Sequence, residues 1–155
     1  MKTFVKSALF VVVGLASVSA MAGEISNSQI YGDRAKNTAG SDGARALQHI
    51  GVTFESGKIT NSRVYAQDVS NESFSRGGVA HQDIGVAKRG GTMDNVTVFA
   101  AGARNRTAGS GAVAIQEIGV ATNGTMKNVL VHAPGALNNA NNDRSFAEQK
   151  IGVVN

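Results

Sequence analysis

Ala46-Leu47-Gln48-His49-Ile50-Gly51-Val52 returns three times along the chain, as AHQDIGV from Ala80, AIQEIGV from Ala114 and AEQKIGV from Ala147. The starts lie 34, 34 and 33 residues apart. A fixed period of this length is the mark of a repeat architecture. A second string, Gly-x-(Ile/Met)-x-Asn-x-x-(Val/Ile), keeps the same beat from Gly23, Gly57, Gly91 and Gly124. Two further columns follow it: Tyr31, Tyr65, Phe99 and His132, then Asn37, Asn71, Asn105 and Asn138. The repeats are therefore 23–56, 57–90, 91–123 and 124–155, which tile a single domain over 23–155 without linkers.

Inside the first string the kept residues alternate. Ala46, Gln48, Ile50 and Val52 share one face; Leu47, His49 and Gly51 share the other. Period two with one fixed face predicts a half-buried strand. The predicted core is then Ile50, Ile84, Ile118 and Ile151 with Val52, Val86, Val120 and Val153. In the second string the step from Asn27 to Ile30 breaks the alternation and predicts a bend or bulge. The Gly-, Ser- and Asn-rich stretches 37–43, 73–78 and 105–111 read as turns or arcs.

Each unit is thus expected to be strand–turn–strand–turn. The fold class is all-β: a parallel, in-register β-solenoid, or cross-β stack, of four repeats. The period allows one rung per repeat or two of about half that size, and one is preferred because the two halves of a repeat do not match each other. Stacked rungs turn each column into a ladder. Gln48, Gln82, Gln116 and Gln149 share the face of Ile and Val, where an unpaired amide is costly. Stacking identical amides pairs them. The columns Asn27, Asn61, Asn95, Asn128 and Asn37, Asn71, Asn105, Asn138 are expected to form ladders too, the first of them inward like the glutamines. On the outer face His49 is expected beside Asp83 and Glu117 beside Lys150, with Asp83 beside Glu117 as an unfavourable step.

Residues 1–22 read as a signal peptide. Lys2 and Lys6 precede a short apolar run at 8–16, and Ala20-Met21-Ala22 offers a small-x-small cleavage site. The apolar run is too short to span a membrane, so no stable membrane insertion is expected. The mature chain would start at Gly23. The formal charge of +4 rests on 15 basic and 11 acidic residues. Removing Lys2 and Lys6 leaves 13 against 11, interspersed. A nucleic-acid binder shows a basic stripe, and none is present.

The absence of Cys excludes a disulfide scaffold and thiolate metal sites. With aromatics at 5%, the girdles of a small outer-membrane barrel are missing. No phosphate loop, nucleophile elbow, paired-His zinc motif or calcium-binding nonapeptide occurs. No enzyme activity, catalytic residue, cofactor or metal is expected. His49, His81 and Asp83 come close enough for a weak metal site but read as surface residues, and His132 as a stacking substitute in the aromatic column. The sequons at Asn71, Asn95, Asn105 and Asn123 fall on structural columns and read as incidental.

Function is expected at the ends of the stack. Soluble repeat proteins close their ends with atypical capping repeats, and the four repeats leave no residues for caps. Open head-to-tail contact gives a filament. The expectation is a secreted structural subunit that polymerises with itself. The alternative is a monomeric secreted solenoid that binds a surface, a carbohydrate or ice. Threonines are too scattered for ice, whereas sugar binding would need Tyr31, Tyr65 and Phe99 to face outward.

The leader, the in-phase Gln and Asn columns and the Gly-rich turns resemble the subunits of bacterial functional amyloids: curli and, more loosely, Fap fimbriae. The string GVAHQ at 78–82 has the Ala-x-Gln character of a curlin repeat. Curlin repeats are shorter, and Fap subunits usually carry linkers that are absent here. The resemblance implies extracellular fibres at the cell surface or in a biofilm matrix. It further implies export across the bacterial envelope through an outer-membrane pore, and a nucleator subunit.

Overall fold

The computed structural model describes residues 18–21 and 23–154. The rest of the predicted leader (1–17 and 22) and Asn155 lie outside the described residues. A strand β1 (Val18–Met21) precedes four rungs. The first holds β2 (Glu24–Ser26), β3 (Gln29–Asp33), β4 (Lys36–Ala39) and β5 (Arg45–Phe54). The second holds β6 (Lys58–Thr60), β7 (Arg63–Gln67), β8 (Ser70–Ser73) and β9 (Val79–Ala87). The third holds β10 (Thr92–Ala101), β11 (Arg104–Ala108) and β12 (Val113–Ile118). The fourth holds β13 (Thr125–His132), β14 (Leu137–Asn141) and β15 (Phe146–Ile151).

These strands make three parallel sheets, one per side of the solenoid. The first is β1-β5-β9-β12-β15, the third is β4-β8-β11-β14, and the second is bent along its length. In the bent sheet β2 and β3 stack on β6 and β7, and these on the two halves of β10, which β13 covers. Pairing within the four rungs is in register: Gln48 faces Gln82, Gln82 faces Gln116, and Gln116 faces Gln149. The fold is a β-solenoid, as the sequence predicts, and its four turns, one per repeat, decide between one rung and two.

Three local expectations are corrected. First, each turn has a third side. The strands at 36–39, 70–73, 104–108 and 137–141 take up part of what reads as arcs, and turns follow each of them before the first sheet. Second, Asn27, Asn61, Asn95 and Asn128 are exposed rather than inward. Their φ values of 50, 48, 53 and 52° make the bend in the second sheet. Asn tolerates this left-handed conformation better than other side chains bearing Cβ. One of the three steps, Asn95 Nδ2 to Asn61 Oδ1 at 2.9 Å, still makes a ladder bond.

Third, the alternation in the first sheet stops at Gly51. Gly51, Gly85 and Gly119 have φ of 62, 60 and 60°. They turn toward the core instead of outward. A Cβ on Gly85 would stand 2.6 Å from Val98 Cγ2, so both the backbone angle and the space require glycine. Val52, Val86 and Val120 are consequently displaced from the main core. They are fully buried but form a second cluster with Phe54. The main core joins Ile25, Ile59 and Met93 to Val64, Val98, Ile50, Ile84 and Ile118. In the last rung Ile151 is 40% exposed and Val153 half-buried, because no rung covers them.

Candidate functional site

The interior has two compartments. Apolar side chains fill the space between the first and second sheets, while amides fill the space between the first and third. Gln82 Nε2 donates to Gln48 Oε1 at 2.6 Å, Gln116 donates to Gln82 at 2.6 Å, and Gln149 donates to Gln116. The second ladder is the Asn37 column. Asn37 Nδ2 donates to Asn71 Oδ1 at 3.0 Å, Asn71 to Asn105 at 2.9 Å, and Asn105 to Asn138 at 2.8 Å. Both columns also reach the facing backbone. Gln48 and Gln116 donate to the carbonyls of Ala35 and Ala103; Asn71 and Asn105 donate to those of Ala46 and Ala80. This doubly bonded arrangement is why Gln82, Gln116, Asn71 and Asn105 are fully buried at no unpaired cost.

The two ladders run in opposite directions. Each Gln donates toward the preceding rung and each Asn toward the following one. A primary amide carries its donor and its acceptor on different atoms, so one bond fixes the sense of the next. The last rung therefore ends with Gln149 Oε1 as a ladder acceptor and Asn138 Nδ2 as a ladder donor. The first rung ends with Gln48 Nε2 as donor and Asn37 Oδ1 as acceptor. The ends are complementary to each other and not to themselves.

Replacing Gln82 with Leu removes the donor to Gln48 and the acceptor of Gln116. Each buried group left unpaired costs about 1–3 kcal/mol. The expected result is a clear drop in the urea midpoint, while Leu47→Gln, on the exposed face of the same sheet, leaves the midpoint nearly unchanged. Equal shifts would mean that the amide ladder contributes nothing.

On the outer face of the first sheet the structure gathers the charges expected there, and adds one. Asp83, read from the sequence as a surface residue, is instead fully buried beneath His49, His81 and Lys88. His81 Nε2 lies 2.9 Å from Asp83 Oδ1. His49 Nδ1 stands 2.8 Å from Oδ2, within hydrogen-bond length but off its angle. Lys88 Nζ lies 2.7 Å from Asp83 and 3.3 Å from Glu117, and Lys150 lies 3.6 Å from Glu117. Lys88 thus bridges the one unfavourable step of the column. Its signal is faint in the sequence: it is the only charge in the column Phe54, Lys88, Thr122. Burial pushes the Asp83 carboxyl up, but His49, His81 and the Lys88 charge outweigh it and hold the group well below the usual carboxylate range.

His81, Asp83 and Glu117 bring three ligand atoms within 4.8 Å of one another, as a divalent cation would require. The Lys88 ammonium already stands between the two carboxylates, and Lys150 supplies a second cation at Glu117. The arrangement is that of an ion-pair network in which a lysine holds the cation position.

The aromatic column lies on the outer surface of the second sheet. Tyr31 and Tyr65 stack at 5.0 Å and 9°, and Phe99 and His132 at 5.2 Å and 25°. Tyr65 and Phe99 meet at 6.4 Å and 51°. His132 does stack, as its place in the column suggests. No helix among the described residues is long and apolar enough to cross a membrane. Comparison of the chain with protein-family models, with curated proteins and with solved structures returns no match.

Proposed function

We propose that the chain is a structural subunit that polymerises head to tail through the ends of its solenoid, as a secreted, extracellular amyloid-like fibre. The observation that carries this reading is the complementarity of the ends. A preceding copy would place Gln149 Oε1 under Gln48 Nε2, and Asn138 Nδ2 under Asn37 Oδ1. Head-to-head contact would oppose like groups. The last rung also leaves apolar surface to cover: Ile151 is 40% exposed where Ile84 and Ile118 are 0%, and Met126 and Val131 are only partly buried. Open strand edges favour the same contact. An export pore and a nucleator belong to this reading as partners; nucleic acid does not.

A monomeric binding module is the second reading. It is favoured by β1, which pairs with β5 and so occupies part of the first-rung edge.

Seeded elongation separates the two. Proline at Ile151 removes a donor from the terminal strand and, as an edge substitution, leaves the first three rungs able to fold. Mature wild-type chain should elongate seeds and reach high mass without cofactor or nucleotide. The Ile151→Pro chain should stop growth at that end. Proline at Ile84, in the interior of the first sheet, should disrupt the subunit itself. A wild-type chain that stays monomeric at high concentration, beside an Ile151→Pro chain that behaves identically, would leave the binding module as the answer.

A further inference from the structure

The outer face of the bent sheet carries more than stacked rings. Along each strand of its second arm the outward positions read polar, aromatic, polar: Gln29-Tyr31-Asp33 on β3 and Arg63-Tyr65-Gln67 on β7. On β10 the series is Thr97, Phe99 and Ala101. The aromatic positions, with Asp33 and Gln67 on their far side, line a depression of about 230 Å³. Beside it, Gln29, Arg63 and Thr97 join the exposed Asn27, Asn61 and Asn95 in a second groove of about 390 Å³. An apolar stripe thus runs along the solenoid axis between two polar margins; the full set stands on the first two rungs, and the third keeps Thr97 and Phe99 with Ala101 at the far margin.

We infer that this face binds an extended, neutral β-linked polysaccharide laid along the solenoid axis. A pyranose with equatorial hydroxyls presents C–H groups on its faces and hydroxyls around its rim. Its faces suit the apolar stripe, and its rim suits amide, guanidinium and carboxylate groups set to either side. Rungs about 4.7–4.9 Å apart are close to, and slightly shorter than, the advance of one sugar in such a chain, so over the few rungs of one chain each rung can serve one unit. Tyr31 and Tyr65 stack face to face at 5.0 Å along the axis, so the stripe turns ring edges outward, with Tyr31 55% exposed at the end of the column.

Charge argues against the other occupants. The one carboxylate in the stripe, Asp33, lies 3.4 Å from Arg34, which leaves Arg63 as a lone cation among amides. That is too weak a field for a nucleic acid or an acidic polymer. A second copy packed sideways would bury the same amides and Arg63 against their own kind, which lacks complementarity.

The ligand surface is complete in a single chain, so it does not depend on polymerisation. In a fibre, His132 of a preceding copy would fall on Tyr31 and extend the ladder.

The test uses cellohexaose and chitohexaose, titrated into the full chain carrying Ile151→Pro and followed by tyrosine fluorescence and calorimetry. Retention on microcrystalline cellulose is measured in parallel. Binding of at least one hexasaccharide is expected. Tyr31→Ser, at an exposed ring, and Tyr65→Leu, which keeps the bulk against the sheet, should each weaken it at least tenfold. Phe74→Ser, at an exposed aromatic outside this face, should leave it unchanged. Circular dichroism confirms that each variant is folded. The inference is overturned if neither sugar nor cellulose binds, or if binding survives the loss of both tyrosine rings. Because the readout is binding by a chain blocked for growth, either outcome is independent of whether wild type elongates.

Discussion

A Lys88→Met chain is expected to lose about 3–5 kcal/mol of stability, the usual consequence of stripping one partner from a buried ion pair. Asp83 has no exposed surface, so water cannot replace the ammonium. His49 and His81 remain as contacts, but neither is a fixed cation. Glu117, 3.3 Å from Lys88, also loses its nearer cation and keeps Lys150. Urea midpoints measure the loss. The double variant Asp83→Asn with Lys88→Met should recover much of it, since the stranded charge is gone. No recovery would mean that Lys88 acts through packing of its alkyl chain against Phe54.

The same cluster sets an acid dependence. Asp83 titrates lower in the folded chain than in the unfolded one. Its contribution is therefore complete above the unfolded carboxyl pKa of about 3.9 and is lost as pH falls below it. Wild-type stability should decline steeply on acidification below about pH 4. Without Lys88 the depression is smaller, so the Lys88→Met chain should show a flatter decline over that range. Parallel slopes would place the acid sensitivity elsewhere.

The repeat period determines most of this architecture, and the period is read directly from the columns. A residue that recurs every 34 or 33 positions must stack on its equivalents once the strands are parallel. The Gln48 ladder and the His49–Asp83 and Glu117–Lys150 neighbours follow from that alone. What the columns do not carry is the direction a side chain takes.

The two asparagine columns recur equally well and end in opposite environments. Asn27 sits where the alternation breaks and supplies a left-handed backbone angle. Asn37 sits in a run such as Lys-Asn-Thr-Ala, whose small polar residues have weak strand propensity. That segment is a strand because Asn37 is held on both sides, by Asn71 and by the Leu47 carbonyl. Tertiary hydrogen bonds, not local preference, make the third sheet. The inward turn of Gly51 is hidden for a similar reason. An alternating pattern assigns it outward, and only the closeness of Val64 shows that the position needs space rather than a face.

The final expected result concerns the first-rung edge. Val18 faces Ile50, Ser19 faces Val52, Ala20 faces Thr53 and Met21 faces Phe54. Elsewhere in this sheet Ile50 pairs with Ile84, and the column of Thr53 runs through Ala87 and Ala121 to Val154. Residues 18–20 therefore stand where residues 151–154 of a preceding copy would stand in a fibre. If the chain polymerises as proposed, the two compete for one strand edge. Their competition is unequal, since a segment already joined to Gly23 acts at high effective concentration. The full chain should then fail to extend seeds at the end where its first rung must dock, while residues 23–155 extend them. Small amounts of full chain should also cap growing fibres made from residues 23–155, because each one that adds through its last rung presents a filled first rung. Elongation rates with the two chains, alone and mixed, measure the effect. Equal rates would show that β1 is displaced without cost, and that the segment 18–21 does not govern when the stack begins to grow.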